Sequence, residues 1–492
     1  MHVVLWDPRN TGVWKDLAGG MGAARCEGWG GLAGRLVRFW VRERRPPPLL
    51  LAHLVAALRR RGHTVEYVCG RFDRPADLFI LRPALSTLAI EREAAARLLA
   101  THPRAKAMFV GPVASTLPQA LDGLGAMIVK GDAEQLYWTL DEVLERPGAT
   151  VQLGWLEDLD RLPLPDWSPF LPRSFRLGRE FARFPSTFVE QSRGCPCRCD
   201  FCSHAHLDGV RFREPEAVVD EIRHGVHAWG FRSFSLRGPA FGHDPRRTFE
   251  LADRLLRAPE RVVFSIKTRA DCLRPEALRL LKRAGLACVV VDAAEPDLPE
   301  PCGDVPAARD AALEEFIAAC RALGIRTVAE FVAGDPHDPR QSLLRALGRA
   351  RRLRPTLAEF HLLTPYPGTE WFDRHAGEWN SADGVALTRT RAVLRYEGFK
   401  PEQIERLQRH CYCRFHLRWA AVRDWTGSRW SAFVGRLVRR PGPLVAPGAG
   451  PAALPPQAAP PDAPRGKRRL RSDGPHTRPG FSDRHSERRP PE

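Results

Sequence analysis

The sequence predicts an α/β protein in two parts: an open parallel sheet with helices on both faces, then a partial (β/α)6 barrel extended by helices. Three observations predict it. From Leu49 onward, short apolar runs alternate with helical segments, the pattern of strands that pair in parallel through helical crossovers. A Pro-rich stretch, Leu162-Pro163-Leu164-Pro165-Asp166-Trp167-Ser168-Pro169, splits that alternation into two series. The chain of 492 residues has room for two or three domains at roughly 100 to 200 residues each.

In the first series a buried strand is expected at 2–6, followed by a Gly- and Arg-rich insertion from Asp7 to Arg45 with no clear period. Pro46-Pro47-Pro48 precedes a helix at 49–58, where a missing N–H at the start costs little. Gly62 ends that helix, and strands follow at 64–68, 78–81, 107–110 and 126–129, with helices near 87–100, 116–122 and 134–144. The second series has strands near 186–190, 231–236, 262–267, 287–292, 327–333 and 358–363, with helices between them. Six strand–helix units fit a partial barrel better than a second small open sheet. The expected boundaries are 1–149 for the first domain, 150–182 for an ordered linker, 183–378 for the barrel and 379–440 for a helical extension. The last segment, 441–492, holds 13 prolines and few apolar groups; such a tail cannot offset its ordering entropy and is expected to be disordered.

The formal charge is +17, from 75 Lys and Arg against 58 Asp and Glu. Seven of those bases are Lys and 68 are Arg, beside abundant Ala, Gly and Pro, so coding composition accounts for part of the excess and nucleic acid is not an expected partner. The run Arg465–Arg471 reads as a solvated end. No window reaches the roughly 18 to 20 uninterrupted apolar residues of a membrane helix. Met1–Asp7 lacks the basic-then-apolar order of a signal peptide, and a cytosolic location is expected.

Of twelve cysteines, Cys195, Cys197, Cys199 and Cys202 fall within eight residues, in Ser192-Arg193-Gly194-Cys195-Pro196-Cys197-Arg198-Cys199-Asp200-Phe201-Cys202. Cys195, Cys199 and Cys202 have the spacing C-x3-C-x2-C. Three thiolates from one loop can hold three irons of a [4Fe–4S] cube and leave the fourth open. A structural zinc site normally joins two separated ligand pairs, which one short loop supplies poorly. Cys411-Tyr412-Cys413 lacks partners and reads as structural.

With this loop in view, residues 1–435 resemble the radical S-adenosylmethionine enzymes, and within them the subclass with an amino-terminal cobalamin-binding domain of Rossmann-like fold. Ordered supporting matches include Gly111–Thr116, Lys130-Gly131-Asp132-Ala133-Glu134, Leu159–Pro165 and Leu363-Thr364-Pro365-Tyr366-Pro367-Gly368-Thr369-Glu370. The resemblance implies that Cys195, Cys199 and Cys202 hold the cluster and that S-adenosylmethionine chelates the open iron. One electron then releases a 5′-deoxyadenosyl radical able to abstract hydrogen from an inert carbon. Phe201 is implied beside the cofactor, Arg269 as a forked partner for the methionine carboxylate, and Glu295 or Asp292 at the ribose. Arg237 stands where relatives carry an acid, and Cys197 matches no ligand position.

In the first domain the resemblance places a corrin or its tail at Ser86, Gly111, Thr116 and Gly131, although each is also a plain βα turn. Arg9 occupies the place of the cobalt-ligating His, in Asp7-Pro8-Arg9-Asn10-Thr11-Gly12, which implies cobalamin without that axial ligand. Tyr366 and Glu330 lie toward the barrel mouth, with core packing the plainer reading of both. The expected activity is methylation of an unactivated carbon in a small-molecule, lipid or peptide substrate, with electrons from flavodoxin or ferredoxin. One alternative is a cobalamin-dependent rearrangement or cyclisation. A second, an RNA-modifying methylthiotransferase, would require three more ligand cysteines, whereas only Cys26 and Cys69 precede the linker.

Overall fold

The computed structural model describes residues 1–8, 47–170, 175, 180–197, 199, 201–202, 209–239, 241–293, 306–375 and 389–416. The insertion after Asp7 with Arg9, Glu295, most of the expected helical extension and the Pro-rich tail lie outside these residues.

Six parallel strands form the first sheet: β1 (His2–Asp7), β2 (Thr64–Cys69), β3 (Leu78–Leu81), β4 (Lys106–Phe109), β5 (Met127–Gly131) and β6 (Thr150–Gly154). Their order is β2-β1-β3-β4-β5-β6. Val3, Val4, Leu5 and the whole run Leu78–Leu81 are buried, as expected of strands covered on both faces. The covering helices are α1 (Leu49–Arg60), α2 (Leu88–Thr101), α3 (Pro112–Thr116) and α4 (Leu136–Leu144). The order reverses between β1 and β3, and at such a switch point the carboxyl ends of the strands leave a crevice for ligands.

β6 corrects the expectation of a linker from residue 150. Thr150–Gly154 pairs in parallel with β5, because the alternation Thr-Val-Gln-Leu extends an edge that the Pro-rich text reaches only at 162. The remainder of the expected linker is packed. Asp166 N–H donates to Ala52 O at 3.0 Å, the buried His53 ring meets Pro163 O at 2.9 Å, and Trp167 stacks edge-on with Phe170, Phe175 and Phe231.

The second sheet contains β7 (Ser186–Glu190), β10 (Ser233–Arg237), β11 (Val263–Thr268), β12 (Leu286–Asp292), β13 (Arg326–Ala333) and β14 (Leu357–Leu362). These strands pair in parallel in chain order, and β7 and β14 are the two ends, which makes an open, partial barrel. A two-stranded antiparallel ribbon, β8 (Ser192–Arg193) and β9 (Arg211–Phe212), rises after β7. The helices α5 (Pro215–Trp229), α6 (Pro245–Arg257), α7 (Pro275–Ala284), α8 (Pro306–Ala322) and α9 (Pro339–Leu353) each begin on proline, which is preorganised for a first helical turn. Gly285 ends α7 at φ 116°, and a Cβ there would meet Val262 O at 2.3 Å. Beyond β14 come α10 (Glu370–Arg374) and α11 (Pro401–His416).

Side chains alternate along the barrel strands. Phe264, Ile266, Val289, Val291, Ala329, Phe331, Ala358, Phe360 and Leu362 belong to the main core under the helices. The intervening positions, among them Ser265, Lys267, Glu330, Glu359 and His361, therefore face the lumen.

Candidate active site

The cysteine loop hangs from the β8–β9 ribbon. Gly194 takes φ 80°, and a Cβ on it would stand 1.8 Å from Gly209 O across the neck, so a side chain is excluded there. Cys195, Cys197, Cys199 and Cys202 are half-buried and outside any disulfide, and a turn from Cys202 N–H to Cys199 O at 3.0 Å closes the loop. The Cys195 thiol is held below its ordinary value, first by a hydrogen bond with Cys197, while burial and the charges of Cys202 and Cys199 push it up. Cys195, Cys199 and Cys202 stand together on one short loop, and such a set of soft donors fits an iron–sulfur cluster. Phe201 packs against Leu363 and Trp371, so its ring seats the loop on the segment after β14.

Five charged side chains fix the neck. The Arg193 guanidinium lies 2.9 Å from Asp132 Oδ1, 2.5 Å from Glu134 Oε1 and 2.8 Å from Glu190 Oε2. Arg211 lies 2.6 Å from Asp132 Oδ2 and donates to Leu156 O at 2.7 Å. Burial pushes the Asp132 carboxyl up, but Arg193 and Arg211 overcome it and hold the group below its ordinary value. Sequence reasoning missed this network. It grows from the turn Lys130–Glu134, where a Cβ on Gly131 would meet Gly154 O at 2.2 Å. The glycine is required by the approach of β6, and the acids beside it grip the cluster loop.

Arg269 stands beside the loop, with Nη1 3.6 Å from Cys197 Sγ. Its fork already holds a carboxylate: Nε and Nη2 donate to Asp271 at 3.0 and 2.8 Å, and this bond is the first cause of Asp271's lowered carboxyl value. Arg237 pairs with Glu180 at 2.8 Å and lies over the Phe188 ring, 4.4 Å from its centre. Asp292 ends β12 in register with Glu330. Glu330 is buried and accepts from Lys267 Nζ at 2.7 Å, and Tyr366 is buried in the main core.

At the switch point the turn Leu85–Thr87, which carries the Ser86 backbone, is braced by the fully buried Glu91, whose Oε2 accepts from Thr87 Oγ1 at 2.6 Å. Gly111 caps α3 at φ 91°, where a Cβ would lie 3.1 Å from Arg82 Cγ. Thr116 Oγ1 donates back to Pro112 O at 2.9 Å. Asp7, Arg82 and Gly111 follow or end β1, β3 and β4, adjacent strands whose carboxyl ends open on the crevice.

A loop of three thiols at the mouth of a partial barrel defines a class: enzymes that hold an iron–sulfur cluster with one iron left to a substrate. Residues 189–348 match the Radical SAM superfamily, so this part of the chain is a radical S-adenosylmethionine domain. Such a domain implies a [4Fe–4S] cluster and S-adenosylmethionine. The chain is similar to an uncharacterized methyltransferase of Pyrococcus horikoshii, 23% identical over 54% of this chain and 57% of that one. It is 29% identical to the anaerobic magnesium-protoporphyrin IX monomethyl ester cyclase of Rubrivivax gelatinosus over 44% of this chain and 39% of that one. Both matches therefore span about half or less of the relative's length. The hopanoid C-3 methylase of Methylococcus capsulatus is 26% identical over 77% of this chain and 78% of its own. Among solved structures, the radical S-adenosylmethionine methyltransferase TsrM of Kitasatospora setae, with cobalamin and a [4Fe–4S] cluster bound, shares the fold. Its TM-score is 0.56 at 19% identity, over 83% of this chain and 85% of that one. Among the described residues no helix is long and apolar enough to cross a membrane.

Proposed function

We propose that this enzyme is a cobalamin-dependent methyltransferase acting on an unactivated carbon. One observation carries the reading: the Arg193 network ties the three-thiol loop to a switch-point sheet of the kind that holds cofactors. Cys195, Cys199 and Cys202 are the residues that would hold the cluster, which supplies the electron that cleaves S-adenosylmethionine. Cobalamin, seated at the crevice lined by Asp7, Arg82, the turn Leu85–Thr87 and Gly111, would supply a transferable methyl group. The protein's own work is positional: Gly194 and the Arg193 pairs fix the loop, Phe201 closes its flank, and the packed linker holds the two sheets to each other. The likeness to the hopanoid methylase, over 77% of this chain and 78% of that one, supports methylation. Cyclisation on the same scaffold is the second reading, favoured by the Rubrivivax relative. We further propose a cytosolic setting with a flavodoxin or ferredoxin as electron donor.

The test is anaerobic reconstitution with iron, sulfide and hydroxocobalamin, then turnover with S-adenosylmethionine and a reductant. Retained cobalamin, with S-adenosylhomocysteine and 5′-deoxyadenosine as joint products, is the expected result. 5′-Deoxyadenosine alone identifies rearrangement or cyclisation, and failure to retain cobalamin removes the methyltransferase reading.

A further inference from the structure

The indole of Trp371, on α10, is 8% exposed and packs with Leu363 and against Phe201. Phe201 comes two residues after Cys199 and directly before Cys202, so Trp371 meets the cysteine loop between two of its three thiols. Two contacts fix the indole in place. Thr369 caps the start of α10, its Oγ1 accepting from Phe372 N–H at 3.1 Å and donating to Tyr366 O at 2.7 Å. One turn further on, the His375 ring stacks on the indole with centres 3.9 Å apart and planes at 28°. Trp371 Nε1 is itself buried, yet it has no hydrogen-bond partner among the described residues. Trp6, buried to a similar degree, donates its own Nε1–H to Gly70 O at 2.9 Å. An indole N–H can only donate, and a buried donor without an acceptor keeps the full cost of its lost hydration.

We propose that Trp371 Nε1–H donates to a sulfur of the iron–sulfur cluster and raises its reduction potential. The side chains of Leu363 and Phe201, against which the indole packs, offer no acceptor. A cluster held by Cys195, Cys199 and Cys202 brings thiolate and sulfide sulfurs to the loop that Phe201 carries against the indole. Hydrogen bonds to those sulfurs are one of the means by which a protein sets a cluster's potential. Reduction adds a negative charge to the cluster, so the N–H···S bond is stronger in the reduced state and favours it. The electron that cleaves S-adenosylmethionine is then easier to load. This inference rests on the cluster reading of the loop and adds to it the residue that tunes the cluster.

The test uses the anaerobically reconstituted full chain and the variant Trp371→Phe, which keeps an aromatic ring and removes the N–H. Potentials are read by a redox titration followed by electron paramagnetic resonance, without S-adenosylmethionine. At equal iron and sulfide content the variant should be harder to reduce by about tenfold in the equilibrium constant, about 59 mV for one electron, the worth of one such bond. The sign separates tuning from mere packing: water admitted by a loosened seam would favour the more negative reduced cluster and raise the potential. An unchanged or raised potential in Trp371→Phe would overturn the proposal. Should that variant fail to load a cluster, wild type carrying indole-15N tryptophan decides. Its reduced cluster should show a 15N coupling in pulsed resonance spectra. Absence of that coupling, or its appearance only after S-adenosylmethionine is added, would equally overturn the assignment. Iron and sulfide analysis of wild type separates the two levels: a missing cluster defeats the radical reading, and an intact cluster without the shift or the coupling defeats only the role of Trp371.

Discussion

Arg193 Nη2 and Glu134 Oε1 lie 2.5 Å apart, 59 residues distant in sequence, one on the β8–β9 ribbon and the other in the turn that follows β5. Arg193 immediately precedes the glycine that opens the cysteine loop, so this pair joins the first sheet to the place where the cluster is held. Burial lowers Arg193's basicity, but Glu134, Glu190 and Asp132 outweigh it and raise the group well above its ordinary value. The guanidinium is a permanent cation.

Removing one member of a buried pair leaves the other uncompensated, at about 3–5 kcal/mol. Arg193→Gln should lower stability on that scale in urea denaturation, and Glu134→Gln by less, because Asp132 and Glu190 still face the guanidinium. The double variant should lose clearly less than the sum of the two. Strict additivity, within about 0.5 kcal/mol, would show that the two residues act independently.

Cys195→Ala, Cys199→Ala and Cys202→Ala should each yield protein with far less than one cluster, measured as iron and acid-labile sulfide after reconstitution. Cys197→Ala should retain a full complement, because it lies outside the ligand spacing and contacts Arg269 instead. Loss of iron in the Cys197 variant equal to that in Cys195→Ala would reassign the ligand set.

Two glycines in the same neck should respond differently to alanine. At Gly194 the new Cβ would lie 1.8 Å from Gly209 O, whereas at Gly209, φ 66°, nothing among the described residues lies within 4 Å. Gly209→Ala should therefore cost only the backbone strain of a left-handed residue, about 1–2 kcal/mol. Gly194→Ala should break the ribbon and with it cluster loading. Comparable melting temperatures and iron contents for the two would contradict the close approach.

Asp132 makes the neck sensitive to acid. Its carboxyl is held below its ordinary value of 3.8 by Arg193 and Arg211 against the opposing effect of burial. A depressed carboxyl stabilises the fold fully above its unfolded value, and that contribution is lost as pH falls through the folded value. Stability should decline below about pH 4, and Asp132→Asn should be less stable at neutral pH yet show a shallower acid limb. The comparison is a urea midpoint series between pH 7 and pH 3, and parallel acid limbs would remove Asp132 from this role.

The strands and helices of both sheets were legible because each is written locally: apolar runs for buried strands, proline at helix starts, glycine at helix ends. β6 was the exception. Thr150–Gly154 is short and half-buried, and only the presence of β5's free edge turns it into a strand. The three cysteines were legible for the same local reason, since a loop ligand set is a matter of spacing along a few residues.

What the sequence determined by itself was therefore the order of elements and the thiol loop. Tertiary structure decided which charges meet. It set β6 against Gly131, turned Asp132 and Glu134 into the clamp on Arg193, and set Lys267 against Glu330 across 63 residues. The reason is geometric. Spacing along a chain fixes neighbours within a turn or a loop, whereas the partner of a buried charge depends on strand order and register, which exist only once the sheets have formed.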